Sequence, residues 1–383
     1  MSDNATDVPE SHRLKVLHVC AEPRGAASSA TLGYVRDQAT RGWQVNVATP
    51  SRGPLGFDAR ELGARVAWWD TESGLTRGIA PSVRRLTQIV SHLQPDLVHL
   101  HGVKAGLTGR LAVRHDAPTV YEPHRLNSRS EPRRGRGALV RWERYATKWT
   151  DLTIHSSQAA RAQAQRLGIH GRGVVIATGV DLLEFPLQST NERLLARKTL
   201  GLHDVPSAVC VGSLTAEGGQ ADLLLAWRHV VADLPHARLY LVGNGPQRAA
   251  LQRAADRLDG VRLVGRRCDV GTWLGAANVV VAPRRDSVNE LVLLEAMSTG
   301  RSVVATDLPG VAELLPARAG EVVAPGQPEE IAAALTRRLL DPAAADEEGW
   351  IGHGHVQRLH DASQTTHEVA KIYLRLVGER RAT

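Results

Sequence analysis

The chain runs one plan twice, and that repetition limits it to a narrow set of folds. A short apolar run, Leu14 to Cys20 (LKVLHVC), is followed by the breaker cluster Glu22, Pro23, Arg24 and Gly25 and then by helical sequence over Ala30 to Thr40. Further strands are expected at Gln44 to Thr49, Val66 to Trp69, Leu97 to His101, Thr119 to Tyr121, Leu152 to His155 and Gly173 to Ile176, with helices between most of them. The pattern restarts at Ala208 to Gly212 (AVCVG), followed by a helix from about Gln220 to Leu234. Strands are then expected at Arg238 to Val242, Val261 to Val264, Val279 to Ala282 and Ser302 to Ala305. Strands alternating with helices imply mainly parallel sheets. The expectation is an α/β protein with two Rossmann-like, doubly wound domains facing across a cleft.

The 383 residues suffice for two buried cores. The polar break Pro186 to Asn191 suggests domains at 13–187 and 188–362, after a disordered tail at 1–12. The last helix, 363–383, has no following strand and is free to pack back on the first domain. No window approaches 18 apolar residues without charge, so no membrane span is expected. Cys20, Cys210 and Cys268 lie far apart with no C-x-x-C pair, which argues against a disulfide framework and a cysteine zinc site. A cytoplasmic location is expected, with the polar, acidic amino end unlike a secretory signal.

The net charge of +7 is carried almost wholly by arginine. The only lysines are Lys15, Lys104, Lys148, Lys198 and Lys371, which leaves a long lysine-free stretch in the second half. Coding bias accounts for such a composition, yet it matters to any site that uses a lysine.

In paired open α/β units, ligands bind at loops beyond the carboxyl ends of the strands. Neither G-x-G-x-x-G nor G-x-x-x-x-G-K-[ST] occurs after the first strand, so dinucleotide and Walker-type phosphate sites are not supported. Gly243, Asn244 and Gly245, with Pro246 after them, read on their own as a turn.

Ordered segments from about Leu14 to about Leu376 resemble the retaining nucleotide-sugar glycosyltransferases of family 4, which have the GT-B fold. Pro95 to His101 (PDLVHLH) resembles that family's strand-end motif, and Lys104 to Gly106 with Gly109 and Arg110 its next helix start. Tyr121 to His124 (YEPH) sits where these enzymes carry a histidine near the reacting sugar, and Thr178 to Asp181 with Phe185 resembles N-G-V-D-x-x-x-F. In the second half, Val211 to Leu214, Leu241 to Pro246, and Leu294 to Met297 with Gly300 and Val304 follow in the family's order.

The resemblance implies a nucleotide-diphosphate sugar as co-substrate, with no cofactor and no metal. The leaving diphosphate must be stabilised as the glycosidic bond breaks, by basic side chains and the amino end of a helix. Here that end falls on Asn289, Glu290, Leu291 and Val292, ahead of Glu295. His124 and Glu295 are the candidate catalytic residues, although a structural histidine at a strand end is an open alternative for His124. Gly25, Gly212, Ser213, Gly218, Gly243 and Gly245 are the candidate donor-binding loop residues.

The family's V-G-R-L-x-x-x-K-G places its arginine on Ser213 and its lysine on Gly218, and the first glutamate of Glu-x7-Glu falls on Ser287. The usual Gly-Gly loop of the first domain reads Gly25, Ala26, Ala27, Ser28. Two lost charged hydrogen bonds, at about 1.5–3 kcal/mol each, would lower the rate on the order of 10² to 10⁴. Arg266, Arg267, Arg284 and Arg285 are candidate replacement cations, and Asp286 and Glu290 candidate carboxylates. His99 and His101, two apart on one strand, share a face like a metal pair, but no nearby carboxylate or cysteine in the sequence completes a ligand set.

Between Arg125 and Trp149 lie Arg129, Arg133, Arg134, Arg136, Arg141 and Arg144, interleaved with Trp142, Tyr145 and Trp149. Such a segment suits peripheral contact with an anionic bilayer and a glycan or lipid-linked acceptor, or else packs its aromatics on the first domain. Nucleic acid is not expected as a partner. Two readings follow: a glycosyltransferase with an atypical donor site, or an inactive relative that serves as partner to an active glycosyltransferase.

Overall fold

Strand order, more than strand number, fixes where a ligand can sit. The computed structural model describes residues 13–70, 78–124 and 133–382, the side chains of 133–136 excepted. The first unit contains β1 (Lys15–Cys20), β2 (Gln44–Thr49), β3 (Arg65–Trp68), β4 (Leu97–His101), β5 (Thr119–Glu122), β6 (Leu152–His155) and β7 (Gly173–Val175). They form one sheet in the order β3-β2-β1-β4-β5-β6-β7, and every pairing is parallel. The second unit contains β8 (Ser207–Val211), β9 (Arg238–Val242), β10 (Val261–Gly265), β11 (Val279–Ala282), β12 (Ser302–Thr306) and β13 (Gly320–Val323), in the order β10-β9-β8-β11-β12-β13, again all parallel. Each sheet reverses its winding once, between β1 and β4 and between β8 and β11.

The central strands are buried on both faces, as parallel strands flanked by helices must be. Runs such as Val279–Ala282 (VVVA) and Ser302–Thr306 (SVVAT) meet that need with β-branched residues that suit the pleat. The edge strand β13 (GEVV) was not anticipated. It offers little apolar signal, and its Glu321 points out to Arg337 and Arg338.

The units divide between Thr178 and Gly179, and again between Asp361 and Ala362, nine residues ahead of the boundary expected at 187/188. Backbone bonding explains the shift. The Val180 amide donates to the His360 carbonyl at 2.8 Å, the Ser298 hydroxyl to the Phe185 carbonyl at 2.5 Å, and Arg301 to the Gln188 carbonyl at 2.6 Å. The polar stretch read as a linker instead starts a helix: Ser189 and Glu192 form a reciprocal capping box on Thr190–Thr199. The final helix, Ala362–Arg381, belongs to the first unit, where Val369, Ala370, Tyr373 and Leu376 join the core of Leu14, Val16, Tyr34 and Val45. The expected tail at 1–12 lies outside the described residues.

Candidate functional site

In the second unit, the carboxyl ends of β8, β9 and β10 are sewn together through backbone. The Gly243 amide donates to the Gly265 carbonyl at 2.8 Å and the Leu214 amide to the Asn244 carbonyl at 3.1 Å. A Cβ on Gly243 would stand 1.8 Å from the Gly212 carbonyl oxygen, and one on Gly245 would stand 2.3 Å from that of Leu214. The glycines thus serve close backbone approach, which a side chain forbids. Gly218, expected from the resemblance at the family's lysine position, packs against the Gln220 side chain and the Ser213 carbonyl.

The loop after β8 also meets the loop after β11, across the point where the winding reverses. Gly219 has φ +75°, its Cβ would fall 1.6 Å from the Pro283 oxygen, and the Arg285 amide donates to the Glu217 carbonyl at 2.9 Å. Beyond Pro283 to Ser287 the chain enters the helix Glu290–Ser298, capped by Asn289 with no side-chain hydrogen bond at its amino end. Glu290 lies in the first turn, Leu291 is half-buried and Val292 is buried. An uncapped amino end at the winding reversal is suited to an anion.

The candidate replacement cations are largely engaged by carboxylates. Arg284 donates to Asp286 at 2.9 Å and to the Ser287 carbonyl at 2.5 Å, Arg285 to Asp222 at 2.6 Å, and Arg267 to Asp269 through two bonds of 2.7 Å. Asp286 is therefore spent on Arg284 and on the Ser287 hydroxyl, 3.2 Å away. Arg266 is exposed and makes no side-chain hydrogen bond or ion pair among the described residues. Arg248, which the sequence reading missed, is half-buried with the same freedom and lies 3.5 Å from where a Gly265 Cβ would be. Its signal was present: it follows Gly245-Pro246 at the start of the helix Arg248–Ala255.

Glu295 lines an open pocket of about 490 Å³ together with Phe185, Gln188, Cys268, Asp269 and Thr272, and none of the loop glycines Gly212, Gly218, Gly243 or Gly245 borders it. Burial, aided by the charge of Glu184, pushes the Glu295 carboxyl up to about 8. At neutral pH it is a protonated acid, able both to donate and to accept a hydrogen bond.

In the first unit, Gly25 begins the helix Ala26–Thr40 with φ +102°, and Gly102 follows β4 with φ +81°. Both loops close on Glu22, whose carboxylate would lie 4.0 Å from a Cβ on Gly25 and 3.4 Å from one on Gly102. His124 adopts φ +53°, a left-handed backbone uncommon for a non-glycine residue and frequent at functional sites. Its Nδ1 is 3.7 Å from Glu122 Oε1, and its Nε2 is buried without a partner.

Beneath these loops lies a polar cluster that the sequence reading saw only in part. Parallel pairing sets His18 beside His99, and β5 brings Glu122 beside His101. The missing carboxylate is therefore present: Glu122 Oε2 is 3.6 Å from both His99 Nε2 and His101 Nδ1. His18 Nδ1 and His101 Nε2 are 2.9 Å apart, His18 Nε2 is 2.9 Å from Gln38 Oε1, and His99 Nδ1 is 2.5 Å from the Tyr373 hydroxyl. Burial depresses all three imidazoles, His18 to about 3, so they are neutral. Burial alone would raise Glu122, but the facing His124 and His101 and the Tyr34 hydroxyl outweigh it and hold the carboxyl below its usual range.

The helix Arg133–Ala146 is anchored by a buried ion pair, Arg110 donating to both Glu143 oxygens at 2.7 and 2.8 Å. Trp142 and Trp149 are half-buried with ring centroids 6.0 Å apart, whereas Tyr145 is 54% exposed under the Lys148 ammonium, 3.7 Å from its ring centroid. Trp142 and Trp149 thus turn partly inward, while Tyr145 stays exposed. Arg129 and the rest of 125–132 lie outside the described residues, and no helix among those described is long and apolar enough to cross a membrane.

Comparison with known proteins gives this arrangement a context. Residues 28–183 match the family described as Glycosyltransferase Family 4, and residues 205–341 match Glycosyl transferases group 1. A GDP-mannose-dependent monoacylated alpha-(1-6)-phosphatidylinositol monomannoside mannosyltransferase of Corynebacterium glutamicum is 30% identical over 54% of this chain, a span that takes in only 57% of that relative. A phosphatidyl-myo-inositol mannosyltransferase of Mycobacterium tuberculosis is 27% identical over 92% of this chain and 94% of its own length. Among solved structures, Anabaena HepE in complex with UDP and glucose matches with a TM-score of 0.80 at 21% identity, covering 94% of this chain and 99% of that one. The sucrose-phosphate synthase of Thermosynechococcus elongatus matches at 0.79 and 21%, covering 96% and 100%. With these two family matches in chain order on two parallel α/β units, the chain belongs to the glycosyltransferases of the GT-B fold.

Proposed function

We propose that the chain transfers a sugar, with retention and without a metal at the leaving group, from a nucleotide-diphosphate donor to a glycan or lipid-linked acceptor. The observation that carries this reading is the winding reversal of the second unit. There the uncapped helix Glu290–Ser298 opens next to loops packed backbone to backbone at Gly219 and Pro283. In this reading the helix amino end and the unengaged Arg248 and Arg266 take over the diphosphate charge that the family's arginine and lysine would hold, since Ser213 and Gly218 cannot. Protonated Glu295 serves a hydroxyl of the nucleotide sugar, and His124 hydrogen-bonds the transferred sugar rather than acting as a base.

The names of the relatives support both parts. HepE was solved with UDP and glucose, and the mannosyltransferases act on phosphatidylinositol derivatives. Exposed Tyr145 and Lys148, with Arg141, give the first unit a basic, aromatic face suited to an anionic bilayer.

A second reading, an inactive partner of an active glycosyltransferase, is favoured by one observation: Arg267, Arg284 and Arg285 are each already bound to an aspartate. Titration of the full chain with UDP, GDP and their sugars in the presence of EDTA, followed by donor hydrolysis, separates the two. Micromolar binding and slow hydrolysis support the enzyme. No binding tighter than millimolar by any donor overturns it.

A further inference from the structure

The buried cluster of the first unit turns two imidazole nitrogens toward one carboxylate oxygen without a hydrogen bond to either. Gln38, His18, His101, Glu122, His99 and Tyr373 form a closed circuit of neighbours, in which Gln38 is hydrogen-bonded to His18 and to Tyr373. With one proton on each buried ring, the orientation of the Gln38 amide sets the direction of every bond. If its oxygen accepts from His18, then His101 donates to His18, and the bare lone pair of His101 Nδ1 faces the Glu122 carboxylate. If the amide is flipped, the same conflict moves to His99 Nε2. Either way a nitrogen lone pair faces Glu122 Oε2 at 3.6 Å, an oxygen that also accepts from the Tyr34 hydroxyl at 3.3 Å, and neither His99 Nε2 nor His101 Nδ1 has a partner at hydrogen-bond distance. Buried polar atoms of this kind call for a cation between them.

The spacing is that of ligands around a metal. Donor atoms 2.0–2.2 Å from a tetrahedral zinc are themselves about 3.3–3.6 Å apart. His101, Glu122 and His124 each offer an atom within 4.8 Å of the other two; His101 Nδ1 is 3.6 Å from Glu122 Oε2 and His124 Nδ1 is 3.7 Å from Glu122 Oε1, so the two imidazoles flank the two carboxylate oxygens. The outer contacts match as well. A ligating imidazole is oriented by a bond from its other nitrogen, which His101 makes to His18 at 2.9 Å, with Gln38 behind it. We infer that His101, Glu122 and His124 form a binding site for one divalent transition-metal ion of the zinc class, with His99 as a further nitrogen beside it. The site lies within the first unit and takes His124 through Nδ1, the nitrogen that faces Glu122, which leaves Nε2 for the sugar contact proposed above. The left-handed backbone of His124 turns its ring toward Glu122, which gives that strain a purpose.

The test uses the full chain, stripped with chelator and titrated with Co²⁺ at pH 7.5, followed by visible ligand-field absorption and then by Zn²⁺ competition. One equivalent of Co²⁺ is expected, displaced by Zn²⁺. Binding should weaken at least ~10-fold in Glu122→Gln and in His124→Asn. Asparagine tolerates the left-handed backbone at 124, so that variant keeps the fold, checked by circular dichroism. Absence of saturable Co²⁺ absorption in the natural chain would overturn the inference and assign the missing charge to a proton. Equal binding by both variants would overturn it by placing the metal elsewhere. Donor binding is not measured, so failure here leaves the glycosyltransferase reading standing.

Discussion

The two units wind alike and spend their polar residues differently. Below the β1/β4 reversal the first unit buries imidazoles, tyrosines and a carboxylate in one connected cluster. Around the β8/β11 reversal the second unit has glycines in backbone contact, with arginines at its rim. The difference teaches that strand order chooses the place of a site, while its chemistry depends on whether side chains there are packed inward or removed. A buried polar cluster suits a small cation. A bare backbone rim suits a large anion that brings its own charge.

The sharpest way to break this contrast is Gly219→Ala. The new Cβ collides with the Pro283 carbonyl on a left-handed backbone, so a loss on the order of 5 kcal/mol is expected in the second unit, together with loss of donor binding. Hydrogen exchange should show amide protection falling in 179–361 but not in the β1 to β7 sheet.

Glu295→Gln follows. The native state keeps a proton that the unfolded chain loses above about 4.5, so this carboxyl's contribution is fully present below that pH and is lost as the pH rises through about 8. The variant should be more stable than the natural chain at pH 9, by up to on the order of 5 kcal/mol, and no different near pH 4. Denaturant titrations at both pH values check this.

Arg110→Ala leaves Glu143 buried without its partner, and a loss of about 3–5 kcal/mol in the first unit is expected by chemical unfolding. Arg248→Ala and Arg266→Ala should each weaken UDP or GDP binding by about 1.5–3 kcal/mol by calorimetry, with no change in melting temperature. Equal loss from Arg284→Ala would show that its aspartate yields to the ligand. Smallest is Tyr373→Phe, which removes the hydroxyl bonded to His99 and to Gln38 and should cost about 1–1.5 kcal/mol.

Most of the fold was legible because hydrophobic runs between breakers survive any tertiary context: β2, β4, β6, β9 and β11 fall on the expected residues. β13 did not, since an edge strand with Gly320 and Glu321 carries half the usual apolar signal. The unit boundary was misplaced because polar Pro186 to Asn191 reads as a linker, although its backbone is bonded into the second unit. Of the site, the loop glycines and the helix at Glu290 could be located by order along the chain. Glu122 could not be joined to His99 and His101, because a pairing between strands some twenty residues apart leaves no mark in local spacing. Nor could the sequence distinguish arginines held by aspartates from Arg248 and Arg266, which are not.

The sequence by itself determined two parallel α/β units, their winding and the loops where chemistry belongs, because these depend on hydrophobic period and on glycine at places that tolerate nothing larger. Only the tertiary structure decided which charges are free and which are neutralised, that Glu295 is an acid at neutral pH, and that three histidines converge on one carboxylate. Those are properties of distance and dielectric between residues far apart in the chain, and both are created by packing.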